Sequence, residues 1–300
     1  MKTQQAVSPG ATRSRASTDS PWRVPPFVWL NLVCLDAPLV AVAWLWLFAR
    51  TFHIPLQIGN GLALFLTAWL IYLADRFADA FTLKPGLPRS LRQQFCIRHR
   101  EIWIATLAVL AGFDAYVIWQ TAALQTFLVG TVVGLLALIY LVANHPLGLI
   151  WRSLPAKELA VGILFAAGTV VALLPGGDFT APFVAAVVTF AALCSLNCIS
   201  IAAWESDLDR VQGKVSIATV HPGVVSAVER LCLGLAVGAL VLALVFRSAA
   251  VFFACISVSA LLLDYLDASR RSKATTSDRR AALADLVLLT PVIVLLLAAL

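Results

Sequence analysis

The sequence predicts an all-α protein that crosses a membrane nine times, and three observations predict it. Only 13% of the 300 residues are charged, against about 25% in a soluble domain, while 61% are hydrophobic and the mean hydropathy is +0.90. The apolar residues fall into nine runs, each close to the ~20 residues that a spanning helix needs. The basic residues gather in alternate connecting segments instead of scattering over all of them.

Taken in order, residues 1–25 are rich in Ser, Thr, Gln and Arg, lack an apolar core and are expected to be a disordered cytoplasmic tail. Residues 26–300 are expected to form one transmembrane domain. The run that starts near Phe27 is too long for a signal-peptide core and no small-residue cleavage site follows, so it is expected to stay as a span. The nine runs cover residues 27–49, 57–75, 102–122, 124–143, 158–175, 181–203, 224–246, 249–268 and 281–300, separated by stop signals such as "GLPRS", "NHPLG", "LPGGDFTAP" and "VHPG". With the N-terminus in the cytoplasm, all but two of the 22 basic residues fall on the cytoplasmic side; the two are Arg50 and Arg247. An odd number of spans then puts the C-terminus outside, in the cytoplasmic membrane if the source is bacterial. The net charge of +6 follows from this topology and does not point to nucleic acid. The six cysteines are scattered, mostly within apolar runs, with no CxxC or Cys/His cluster; they read as packing residues.

Two stretches break the avoidance of charge. "LADRFADAF" (73–81) ends the second run and "AAWESDLDRVQGK" (202–214) ends the sixth, both on the cytoplasmic side. Asp75 and Asp79 are four residues apart, on one helix face; Glu205 and Asp209 repeat that spacing, with Asp207 between them. Like charges ~4 Å apart repel by roughly 4 kcal/mol at an effective dielectric near 20, so carboxylates clustered at a membrane interface call for a compensating cation. Hard oxygen sites suit Mg²⁺, which takes one or two carboxylates together with phosphate oxygens and waters. Two facing pairs could hold Mg²⁺ around a diphosphate, with Arg76, Arg152, Lys157, Arg210 and Lys214 neutralising the remaining phosphate charge. The bland alternative is that these are ordinary charges at a wet interface.

The segments "IYLADRFADAF" and "ESDLDRVQGKVSIAT" resemble the two aspartate-rich motifs of the UbiA superfamily of membrane prenyltransferases, approximately NDxxDxxxD and DxxxDxxxG, with Glu205 in place of the second motif's first aspartate. "LDAPLVAVAWLWLFA", with Asp36 and Pro38, is similar to the family's "RLDKP" opening, and "HPLGLIWRSLPAKELAVGILFAAG" to its Pro-Lys/Arg loop before a Gly-containing fifth helix. The resemblance implies a nine-helix bundle around a central cavity. It also implies a Mg²⁺-dependent transfer of a prenyl group from a polyprenyl diphosphate to an aromatic or lipid acceptor, with Asp75, Asp79, Glu205 and Asp209 as catalytic metal-binding acids and Asp207 as a further ligand. The family's Asn-Asp at the head of the first motif is Ile71-Tyr72 here, and Ile201 stands where a deeper polar ligand is expected. A second reading therefore stays open: a non-catalytic binding or scaffold protein of the same fold. A transporter is disfavoured because the charges lie at one face, away from the bilayer midplane, and a CDP-alcohol phosphotransferase because its motif glycines are missing.

Outside the motifs, Asp114 lies in mid-span, where an acid is costly and defaults to a functional or interhelical role. Asn197 and Ser195 read as interhelical glue. Tyr72, Phe77 and Trp204 flank the motifs, either as π faces for a developing carbocation or as interface anchors.

Overall fold

The computed structural model describes residues 24–144, 157–176, 179–269 and 276–299, and among them there are helices and no strands. In chain order they are α1 (Pro26–Leu32), α2 (Asp36–Thr51), α3 (Ile58–Phe81), α4 (Leu91–Arg98), α5 (Arg100–Thr121), α6 (Leu124–Asn144), α7 (Lys157–Val170, continued by a 3-10 turn Val171–Gly176) and α8 (Ala181–Gln212). The C-terminal part holds α9 (Ile217–Val220), α10 (Gly223–Val245), α11 (Ala250–Ser269), α12 (Ser277–Leu286) and α13 (Thr290–Ala299).

Among the described residues, eight helical segments are long and apolar enough to cross a membrane, and a ninth span is counted there if α1 and α2, bent by 91°, are taken together. The expected first run is thus broken. The break has a local cause. Asn31 and Asp36 are buried, and Asn31 Nδ2 donates to Asp36 Oδ2 at 2.6 Å. The Asp36 carboxylate also accepts the Ala37 N–H at 3.0 Å, satisfying one of the free donors at the start of α2. Cys34 takes a positive φ of 59° to make the corner.

The core centres on α8, which packs against α7, α10, α11 and α12. Trp44 of α2 stacks on Phe190 of α8 at 4.6 Å, Phe48 of α2 meets Phe183 and Phe190 of α8, and Phe252 of α11 packs on both Trp44 and Phe48. Trp44 Nε1 donates to the Leu288 carbonyl at 2.8 Å, which satisfies the one polar atom the ring buries. The α7–α8 crossing depends on Gly162: a Cβ there would lie 2.4 Å from the Ser195 backbone nitrogen. Small residues at such crossings let helix backbones approach closely in lipid. By contrast α6 exposes Leu128, Leu135 and Ile139, as a lipid-facing surface does.

Helix length places the acidic motifs. At 1.5 Å per residue, the 24 residues of α3 span ~36 Å and the 32 residues of α8 ~48 Å. The hydrocarbon layer needs only ~30 Å. The excess turns at the C-terminal ends carry Asp75, Asp79, Glu205 and Asp209.

Candidate functional site

Those excess turns face one polar cavity of 250 Å³, lined by Asp75, Arg76 and Asp79 from α3, Glu205 and Asp209 from α8, and Lys157 and Lys214. Seven of the ten residues expected to form the site are therefore brought together. Asp207 and Arg210 are not. They pair with each other at 3.0 Å, and the Asp207 side chain is 98% exposed. The reason is rotational: two residues turn ~200° around a helix, so Asp207 points away from both Glu205 and Asp209. Arg152 lies outside the described residues.

Local structure explains how Lys214 arrives. Gly213 adopts φ 69° and ends α8, and the Lys214 N–H returns to the Asp209 carbonyl at 2.9 Å, a turn that favours glycine. The side chain then folds back across the cavity, and Nζ donates to Asp79 Oδ1 at 2.5 Å. Ser216 also lines the cavity, and the Asn144 amide donates to Asp75 at 3.5 Å.

Sequence reasoning missed α4. Its signal is "SLRQ", a capping box in which Ser90 and Gln93 satisfy each other's backbone N–H groups. This short helix lies against the cavity and delivers two side chains. Arg92 donates to Glu205 Oε1 at 2.5 Å, and Gln93 Nε2 to Asp79 Oδ2 at 3.1 Å. Glu158, at the start of α7, was also missed; it lines the cavity and accepts the Ile217 N–H at 3.1 Å. At the cavity's inner end the Asp285 carboxylate accepts from Asn197 at 2.7 Å and from Asn31 at 3.5 Å, which ties it to Asp36.

Tyr72, standing where the family motif has aspartate, carries a different job. Its hydroxyl accepts from Arg76, whose guanidinium also sits 4.7 Å from the ring centroid. The ring holds the arginine at the cavity wall. Of the other flanking aromatics, Trp204 is buried and donates to Asp267 at 2.7 Å, and Phe77 stacks on Phe81 at 4.4 Å. Both are structural.

Around the cavity, Arg76 Nε and Arg92 Nε and Nη1 are buried donors without a hydrogen-bond partner among the described residues, and Glu158 Oε2 and Asn197 Oδ1 are acceptors in the same state. Buried polar groups are nearly always satisfied, so both guanidinium groups keep donors uncommitted beside the acid pairs. The polar cavity shares Ala37, Tyr72, Asp75, Tyr140, Val161 and Phe165 with an apolar cavity of 430 Å³ that runs between α3, α5, α6 and α7. A charged cavity thus adjoins an apolar one.

No family model matches the sequence and no curated protein does. Among solved structures, the chain is similar to the apo structure of a UbiA homolog from Aeropyrum pernix K1, with a TM-score of 0.56 and 16% identity over 87% of this chain and 98% of that one. The chain therefore has the fold of the UbiA-type membrane proteins.

Proposed function

We propose that this protein is a membrane prenyltransferase, which binds a polyprenyl diphosphate with its head among the acid pairs and its tail in the apolar cavity. The observation that carries the reading is the junction itself: four motif carboxylates, four cations (Arg76, Arg92, Lys157, Lys214) and an apolar cavity meeting at Tyr72 and Asp75.

The donor chemistry fits Mg²⁺ only in company with a diphosphate. Every candidate ligand is a hard oxygen. Yet Asp79 and Glu205 are ion-paired, and no group of three or more His, Cys, Asp or Glu among the described residues could hold a metal ion. A Mg²⁺ that completes its shell with phosphate oxygens and water needs only one or two carboxylates. Asp75 and Asp209 are the first candidates, joined by Asp79 and Glu205 if their partners turn to the phosphates. When bound, Mg²⁺ would supply Lewis-acid stabilisation of the leaving diphosphate.

The rest falls to the chain. Arg76, Arg92, Lys157 and Lys214 would stabilise the charge that develops as the allylic C–O bond breaks and its electron pair leaves with the diphosphate. The rings of Tyr72 and Tyr140 line the junction where the carbocation would form and can face it. The apolar wall keeps water from trapping the cation. An aromatic or lipid acceptor then forms the new bond and loses a proton.

One observation favours the second reading, a binding protein without turnover: Lys214 and Arg92 already neutralise one acid of each pair. Diphosphate release separates the two. Purified protein in lipid nanodiscs, given farnesyl diphosphate, Mg²⁺ and an extract of membrane lipids and quinone precursors, should release inorganic diphosphate and stop when EDTA is added. Saturable binding with no release supports the non-catalytic reading, and neither binding nor release overturns both.

A further inference from the structure

Deep in the apolar cavity lies one acid that the head-group chemistry does not use. Asp114 of α5 lines the cavity wall and is only 5% exposed. Thr67 of α3 donates to its Oδ2 at 2.8 Å, but Oδ1 is buried with no partner among the described residues. A structural link between α3 and α5 needs only the first of these oxygens; a serine or asparagine would make it without placing a carboxyl in mid-membrane, where ionisable groups are expensive. Water is a poor candidate for the second oxygen. A buried water needs two to four polar partners, and the cavity-lining residues one turn from this pair on its own two helices, Ala63 and Leu64 on α3 and Ile118 on α5, are apolar. The cavity's other threonines, such as Thr131 and Thr169, hydrogen-bond to their own helix carbonyls.

We propose that the Asp114–Thr67 pair is a hydroxyl-selecting subsite inside the tail cavity. The position sets the depth at which it reads. Thr67 precedes Asp75 on α3 by eight residues, ~12 Å along the axis, so the subsite faces the middle or far part of a chain whose diphosphate sits at the acid pairs. A hydroxyl is the group that suits Oδ1 in either protonation state, since it can donate to a carboxylate and accept from a carboxylic acid. A plain hydrocarbon chain passing this point leaves Oδ1 unsatisfied, which penalises it relative to a hydroxylated one. This inference rests on the prenyl diphosphate reading and names the class of chain the site prefers.

The test compares farnesyl diphosphate with two analogues that carry one added hydroxyl, on the second or on the third isoprene unit, in titrations with Mg²⁺ against the full chain in nanodiscs. One analogue should bind wild-type protein three- to tenfold more tightly than the parent. Asp114→Leu should abolish or invert that preference, while Asp114→Asn, which keeps the bond from Thr67 and a polar partner, should retain part of it. Equal affinities in wild type, or a preference that survives Asp114→Leu, overturn the subsite while leaving the prenyl diphosphate reading intact. Failure of all three ligands to bind overturns both. If Asp114→Leu does not fold, the asparagine variant and the wild-type comparison still decide the matter.

Discussion

If a diphosphate binds where the acid pairs meet, the Lys214–Asp79 pair must exchange partners, Lys214 turning to phosphate and Asp79 to Mg²⁺. A double-mutant cycle can read that exchange. With the charge centres ~4 Å apart, the gross attraction runs from about 1 kcal/mol in water to about 4 kcal/mol at an effective dielectric near 20. The two side chains are 21% and 28% exposed, so the pair lies between these limits, near 2 kcal/mol. Wild-type binding must overcome that attraction. In Asp79→Asn and in Lys214→Met the pair is already gone, so each single variant loses its ligand contact but is relieved of the opening cost. The double variant loses both contacts and is relieved only once. Its affinity for Mg²⁺–farnesyl diphosphate, measured by calorimetric titration in nanodiscs, should therefore fall by about 2 kcal/mol, or ~30-fold, more than the two single effects summed. Additivity within ~0.5 kcal/mol would mean that the pair stays closed when ligand binds, and the partner exchange would be refuted.

Further outcomes follow from the same geometry. Mg²⁺ alone should leave the melting temperature unchanged, because the described residues hold no protein-only ligand cluster, whereas Mg²⁺ with farnesyl diphosphate should raise it by mass action, reversibly with EDTA; a shift with Mg²⁺ alone contradicts shared coordination. Gly162→Val should destabilise the protein by at least 1–3 kcal/mol in a denaturant titration, because its Cβ would press on the Ser195 backbone, which cannot swing aside; an unchanged midpoint would show that the α7–α8 crossing relaxes freely. In a cysteine-free background, Lys84→Cys should react with a membrane-impermeant thiol reagent from the cytoplasmic side and Ala123→Cys from the opposite side; the reverse pattern overturns the proposed orientation.

Much of this arrangement was legible in the sequence because bilayer physics leaves few choices. Apolar runs long enough to cross, and basic residues confined to alternate segments, predicted the helices. The equal spacing of Asp75–Asp79 and Glu205–Asp209 predicted a shared face on each helix, and the structure turns both faces to one cavity. Asp207, expected as a further ligand, is not one of the cavity's acids, because two residues along a helix turn it ~200° away from Glu205 and Asp209. The break between α1 and α2 was hidden because its cause, the Asn31–Asp36 hydrogen bond, is a polar contact inside an apolar run. Arg92 and Gln93 were invisible as site residues for another reason: the positive-inside pattern already accounted for an arginine there, and α4 is too short and polar to show as a span. Tyr72 stands where the motif it resembles has an aspartate, yet its ring and hydroxyl position Arg76, so an aspartate there would give up that contact.

If the two acid pairs act as one head-group site, acids from both helices must contribute to binding. The direct measurement is a titration of farnesyl diphosphate with Mg²⁺ into wild type, Asp75→Asn and Asp209→Asn, one acid from each helix. Loss of a charged contact to the ligand is worth about 1.5–3 kcal/mol, so both variants should bind at least tenfold more weakly than wild type while keeping its melting temperature in the absence of ligand. Wild-type affinity in either variant would mean that its helix contributes nothing to the head group, and the single-site account would be contradicted.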